Sequence, residues 1–117
     1  MQYKVSVASK VLKGTIRLDG SKSISNRVLI QRALSGQDFA VNHIANSSDT
    51  KTMLELLASD SDLLDAHDGG TTFRFLTAFL SVQEGRTVTL TGAERMKQRP
   101  IKILAEALKT LGAEIEY

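Results

Sequence analysis

Apolar residues recur along this chain at two spacings, and the switches between them divide it into elements. Tyr3–Ala8 and Gly14–Asp19 alternate apolar and polar residues, the period of half-buried strands. From Ser23 to Ser35 the spacing lengthens towards 3.6. Ile24, Val28, Leu29, Ala33 and Leu34 make an apolar stripe that stops at Gly36, which predicts a helix. Phe39–Ile44 predicts a further strand with Phe39 and Val41 facing inward. Ser47-Ser48-Asp49 supplies capping side chains for a second helix, Thr50–Ser59, that buries Met53, Leu54 and Leu57. After the turn Ser59-Asp60-Ser61-Asp62, Leu63–Ala66 is at most a short strand. Gly69-Gly70 introduces a third helix, Thr72–Val82, and Arg86–Thr91 is a β run. Pro100 occupies the first position of a fourth helix, whose stripe is Ile101, Leu104, Leu108 and Leu111 and whose end is Gly112. Ala113–Tyr117 alternates again, as a strand.

Strand, turn and helix therefore recur, which predicts an α/β (α+β) chain without a linker or low-complexity segment. With 117 residues, it amounts to one domain at most. A final strand with no turn after it is an exposed sheet edge, so the expectation is a truncated protein, a single partial domain over residues 1–117.

Composition narrows the chemistry mainly by exclusion. There is no cysteine, which removes disulfides, thiolate metal sites and a cysteine nucleophile. His43 and His67 are the only histidines, too few and too isolated for a metal site. A net charge of +2 is too small to point to nucleic acid or an anionic membrane, and no aromatic stacking platform accompanies it. No apolar run reaches the ~18 residues of a membrane span, and the start has no signal-peptide core. The expected location is cytoplasmic.

The cations matter through their positions, which are the mouths of three helices. A helix N-terminus presents unpaired N–H groups and the positive end of its dipole, and so favours anions. In Gly20-Ser21-Lys22-Ser23-Ile24-Ser25-Asn26-Arg27, with Ser21 or Ser23 as N-cap, Ser23 and Arg27 share one helix face. Lys22 stands just outside the first turn as a mobile ammonium. In Asp68-Gly69-Gly70-Thr71-Thr72-Phe73-Arg74 the glycines permit close backbone approach to a ligand, and Thr71 is a candidate cap. Arg74 is the one charge in an apolar run and must be paired or surface-reaching; Asp68 and Glu84 are its candidate partners. In the third mouth, an extended segment sends Arg95, Lys97 and Arg99 to one side, with Arg99 directly before Pro100 best placed to fork around a phosphate. The plain alternative is ordinary capping with solvated cations, or a non-catalytic anion-binding domain.

These three segments, the last continuing as Arg99-Pro100-Ile101, occur in the order that resembles the N-terminal part of the EPSP synthase (3-phosphoshikimate 1-carboxyvinyltransferase) family, the target of glyphosate. The resemblance runs over nearly the whole chain and includes Asp49. It implies transfer of the enolpyruvyl group of phosphoenolpyruvate to the 5-hydroxyl of 3-phosphoshikimate, with release of phosphate, in aromatic amino acid biosynthesis. It implies no metal or organic cofactor, and a fold of two lobes assembled from βαβαββ-type units. Residues 1–19 would be strands that pair with the other lobe, and 20–117 the first part of the 3-phosphoshikimate-binding lobe. By the same resemblance, Lys22, Ser23 and Arg27 hold 3-phosphoshikimate, while Lys22, Gly70 and Arg99 hold phosphoenolpyruvate. Asp49, Thr71 and Arg74 support the cleft. The family's proton-transferring carboxylate and lysine belong to the other lobe, so no catalytic acid or base is expected within these 117 residues.

The chain departs from the family pattern at Asp68, where many members carry Asn, and at Gly69, where Ala is frequent. Lys51–Asp68 is short and lacks a strand pair that longer members carry. The related transferase acting on a UDP-linked amino sugar commonly carries a reactive cysteine, which this chain does not have.

Overall fold

A computed structural model describes residues 1–9 and 11–117. Its elements run α1 (Lys22–Ser35), α2 (Ser48–Leu57), β1 (Leu63–Asp65), α3 (Gly70–Leu80), β2 (Thr89–Thr91), α4 (Glu94–Lys97) and α5 (Lys102–Thr110). The start of α1 is set by Ser21, whose Oγ accepts from the Ile24 N–H, and its end by Gly36 in the left-handed region at φ 63°. Ser47 caps α2 in the same way, accepting from the Thr50 N–H. β1 and β2 are parallel, with Leu63 opposite Thr89, Leu64 opposite Leu90 and Asp65 opposite Thr91, and α3 makes the crossover between them.

The core lies where α1, α2 and α3 meet. Leu29, Met53 and Leu76 are fully buried there, one from each helix, with Ile30, Ile44, Leu54, Phe75 and Phe79 packed around them. Each such large apolar side chain contributes roughly 1.5–3 kcal/mol on burial. Beside this core runs a polar seam. Ser25 Oγ accepts from the Ala45 N–H at 3.0 Å, Thr50 Oγ1 donates to Asn26 Oδ1 at 2.8 Å, and Thr72 Oγ1 donates to the Asp49 carbonyl at 3.0 Å. These bonds join α1 to the loop before α2, α1 to α2, and α3 to α2. The seam corrects the sequence reading of α1, because the helix buries Ser25 and Asn26 with Leu29 while Ile24 and Leu34 are 65% and 56% exposed. Among the described residues Asn26 Nδ2 is the one buried side-chain polar atom without a partner; paired buried polar groups cost little, so periodicity of apolar residues alone picked the wrong edge of the helix.

Other expected elements are absent or shorter among the described residues. Residues 3–8, 14–19, 39–44 and 113–117 pair with no strand, and the β run of 86–91 is a ladder only over Thr89–Thr91. A strand needs a neighbour for its backbone groups, and none lies beside these segments. Tyr3, Val5, Val7, Ile16 and Leu18 are all exposed. The chain is correspondingly extended, with a radius of gyration of 18.3 Å, against about 13 Å for a compact chain of ~100 residues. Tyr117 instead folds back on α5. Its hydroxyl donates to Glu106 Oε1 at 2.5 Å, which holds the Tyr117 pKa above and the Glu106 pKa below their usual ranges, and Lys109 lies over its ring.

Two further corrections bear on the site. Residues 94–97 are a short helix, α4, so Arg95, Lys97 and Arg99 do not share a side as in an extended strand. Pro100 precedes α5, whose N-cap is Ile101, and Leu111 at the end of its stripe is exposed.

Candidate functional site

Packing of the three helices brings the first turns of α1 and α3 and the entry to α2 to one place. Lys22, Ser23 and Arg27 from α1, with Asp49 from α2, form one wall of a cavity of about 500 Å³. Gly70, Thr71 and Arg74 from α3, and Arg99 after α4, complete it, and Asp68 and Phe75 also line it. Every residue singled out from the three sequence segments for ligand binding or support therefore lines this one cavity. Arg95 and Lys97 do not. Lys97 pairs with Glu94 at 2.6 Å, a hydrogen bond that raises its pKa. A larger open groove of about 840 Å³ between α3, β2 and α5 shares no lining residue with the first. Among the described residues its one cation is Arg86, which donates to the Ser59 and Ser61 carbonyls, so they give this groove no cationic cluster.

Local features hold the cavity open and positively charged. Lys22 is the first residue of α1 rather than outside it, and its Nζ lies 2.8 Å from Asp49 Oδ2. Arg27 Nη1 donates to the Ser23 carbonyl at 2.8 Å and to Ser23 Oγ at 2.5 Å. Gly20 permits the close approach of the loop before α2, since a Cβ there would collide with the His43 carbonyl. Gly69, not Thr71, is the N-cap of α3, and no side chain caps that helix, which leaves N–H groups of its first turn without a side-chain acceptor.

Arg74 has neither of its expected acidic partners. Nη1 donates to the Gly70 carbonyl at 3.0 Å and Nη2 to the Pro100 carbonyl at 2.9 Å. It thereby ties the mouth of α3 to the segment that carries Arg99. Arg99 closes a turn through its N–H to the Met96 carbonyl, and its guanidinium lies against Gly70 where any other residue would place a Cβ. Among the described residues, Arg27, Arg74 and Arg99 are in no ion pair. Four cations thus face two carboxylates, one of them already paired with Lys22, and the arrangement is suited to a multiply charged anion.

Four contributors escaped the sequence reading. Thr72 is buried and ties α3 to the start of α2, Asn26 and Thr50 lock α1 onto α2, and Phe75 lies under Arg27 with the guanidinium carbon 5.6 Å from the ring centre. Phe75 had one available signal. It stands four residues after Thr71, on the face of α3 that opens the cavity.

Comparison with known proteins bears on what such a cavity holds. A family model described as EPSP synthase (3-phosphoshikimate 1-carboxyvinyltransferase) matches residues 7–59 and 55–117. A 3-phosphoshikimate 1-carboxyvinyltransferase of Bacteroides fragilis (strain YCH46) is 48% identical over 117 residues, covering 100% of this chain and 28% of the relative. Proteins of the same name from Ralstonia pickettii (strain 12J) and Burkholderia multivorans (strain ATCC 17616 / 249) are each 37% identical, over 133 and 127 residues. They cover 92% and 89% of this chain and 30% and 29% of their own lengths. The chain thus spans less than a third of the relatives it matches. The two family-model matches meet inside the short Lys51–Asp68 segment, and the Ralstonia alignment is longer than the chain itself, as expected where relatives carry residues that this chain lacks. No solved structure matches.

Proposed function

The chain belongs to the EPSP synthase family, and on that premise we propose that it supplies substrate-binding residues for transfer of the enolpyruvyl group of phosphoenolpyruvate to the 5-hydroxyl of 3-phosphoshikimate. Lys22, Ser23 and Arg27 hold 3-phosphoshikimate. Lys22, Gly70 and Arg99 hold phosphoenolpyruvate, Gly70 through its backbone. Asp49, Thr71 and Arg74 support the cleft, with Asp49 orienting Lys22 between the two anions and Arg74 holding the Pro100 segment in place. The observation that carries this reading is the common cavity, in which three guanidinia without carboxylate partners face the uncapped first turn of α3.

In the transfer, the 5-hydroxyl gives up its proton and its oxygen adds to C2 of phosphoenolpyruvate while C3 takes a proton. Loss of that C3 proton and of phosphate then regenerates the double bond. The residues of this cavity bind and orient the anions and balance charge on the departing phosphate. The proton-moving carboxylate and lysine come from the rest of a two-lobed fold. In that fold residues 1–19 are strands pairing with the other lobe, and residues 20–117 begin the 3-phosphoshikimate-binding lobe. Among the described residues no helix is long and apolar enough to cross a membrane, and the proposed setting is the cytoplasm, with these two small anions as partners.

The 117 residues alone are expected to release no phosphate from the two substrates, yet to bind 3-phosphoshikimate more tightly than inorganic phosphate. Calorimetric titration with both ligands, beside an assay of phosphate release, tests this. Release that depends on both substrates places acid–base chemistry within this chain and overturns the division of labour. Equal affinity for the two ligands reduces the cavity to a generic cationic surface.

Asp68 makes a separate prediction, because its carboxylate lines the cavity and is in no ion pair among the described residues. In the full-length enzyme, Asp68→Asn removes a negative charge beside the anions and is expected to lower the Michaelis constant for phosphoenolpyruvate. The gain is about two- to fivefold at low ionic strength, and it shrinks as salt is added. A constant that does not respond would mean that the carboxylate faces solvent rather than ligand.

A further inference from the structure

Arg27 is held from two directions. One is its own helix, where Nη1 is taken up by the carbonyl and hydroxyl of Ser23. The other is α3, where the Phe75 ring lies 5.6 Å from the guanidinium carbon. That distance is within the range in which a cation is attracted to the face of an aromatic ring. The two supports differ in kind. Bonds made through a single nitrogen leave the guanidinium free to swing about that nitrogen, whereas attraction to a ring beneath it restrains that swing from a second side. Phe75 can do this because it is itself anchored, being half-buried against the cluster of Leu29, Met53 and Leu76. Arg27, by contrast, is exposed, and among the described residues its Nε and Nη2 donate to no protein acceptor. Those two nitrogens are the ones left for an anion.

We infer that Phe75 is a positioning residue for Arg27: the ring on α3 holds the guanidinium of α1 in the place from which its free N–H groups meet an anionic group of 3-phosphoshikimate. The inference rests on the functional reading above and adds a residue to it. An arginine fixed before the ligand arrives loses less side-chain freedom on binding than one held by its own helix turn alone, so the ring acts on affinity rather than on chemistry.

The test is a double-mutant cycle in the full-length enzyme, read as steady-state constants for both substrates. Phe75→Leu keeps the apolar packing and removes the ring. It is expected to raise the Michaelis constant for 3-phosphoshikimate about three- to tenfold, with kcat and the phosphoenolpyruvate constant within about twofold. Phe75→Tyr keeps the ring and is expected to behave as the parent. In an Arg27→Ala background Phe75→Leu is expected to add nothing, since the group it positions is gone. The inference is overturned by a silent Phe75→Leu, by an effect that persists undiminished without Arg27, or by equal damage from Phe75→Tyr. Should Phe75→Leu fail to fold, Phe75→Met takes its place in the cycle under the same criteria. Arg27→Ala by itself separates the two levels of the argument. If it leaves 3-phosphoshikimate use intact, the functional reading falls and this inference with it; if it is damaging while Phe75→Leu is silent, only the inference falls.

Discussion

Replacing Lys22 by alanine in the full-length enzyme is expected to lower kcat/KM for both substrates by about ten- to a hundredfold. Losing a charge-assisted contact costs roughly 1.5–3 kcal/mol, which is that range of rate. In the proposed assignment Lys22 serves both anions: it opens α1 in the wall of the cavity, and Asp49 at 2.8 Å holds its ammonium there. Its removal has a second consequence. The Asp49 side chain, only 19% exposed, is left as an unneutralised carboxylate facing the substrates. Lys22→Ala combined with Asp49→Asn should therefore recover part of the loss. Arg27→Ala provides the contrast, since Arg27 lies one turn further along α1 and should act mainly through 3-phosphoshikimate. Steady-state constants for the two substrates decide both points. A Lys22→Ala enzyme with normal phosphoenolpyruvate use, or an Arg27→Ala enzyme impaired only there, would reverse the assignment.

Gly70→Ala is expected to raise the Michaelis constant for phosphoenolpyruvate tenfold or more while the fold survives. A glycine before a helix is often required for a positive φ, but the positive-φ glycines here are Gly36, Gly85 and Gly112, not Gly70. Alanine is therefore acceptable to the backbone, and within a helix it is preferred to glycine by about 1 kcal/mol. The obstacle is the space above it. A Cβ on Gly70 would collide with Arg99 Nη1 and lie 3.4 Å from Arg74 Nη1. Arg99 ends a flexible side chain and can yield, so the methyl moves the proposed phosphoenolpyruvate cation instead of breaking the helix. Overpacking of this kind costs about 1–3 kcal/mol. Melting temperature and both Michaelis constants separate this outcome from a structural one. An unstable variant that loses both substrates in proportion would mean that Gly70 serves the fold and not the ligand.

The two arginines of the second and third helix mouths show where reading residues in order stopped working. Arg74 invited a search for an acid nearby in sequence, and Asp68 and Glu84 were the obvious choices. Its actual partners are backbone carbonyls, one of them at Pro100, twenty-six residues away. Carbonyls carry no sequence signature, so such a pairing cannot be anticipated from residue types. Arg95, Lys97 and Arg99 alternate along the sequence, which in an extended segment would set all three on one side with Arg99 best placed for a phosphate. The turn of α4 separates them, leaving Arg99 in the cavity and Lys97 on Glu94.

What the sequence determined by itself is local. Ser21 and Ser47 start their helices and Gly36 stops one, because a cap needs only a side-chain oxygen three residues from an unpaired N–H, or a glycine able to turn left-handed. The cations at helix mouths were legible for the same reason, since the mouth and the charge lie within one turn of each other. Tertiary structure decided which of those charges meet. That depends on Leu29, Met53 and Leu76 packing three helices together, and on Asn26 with Thr50, Thr72 with Asp49, and Arg74 with Pro100 fixing how they sit. It also decided that Ile24 faces outward and that residues 3–8 and 14–19 pair with no strand among the described residues, although alternation marked them as strands. Alternation establishes that a segment has two unlike faces. Whether it becomes a strand depends on a neighbour whose N–H and C=O groups stand free to pair, and that neighbour is a property of the fold rather than of the segment.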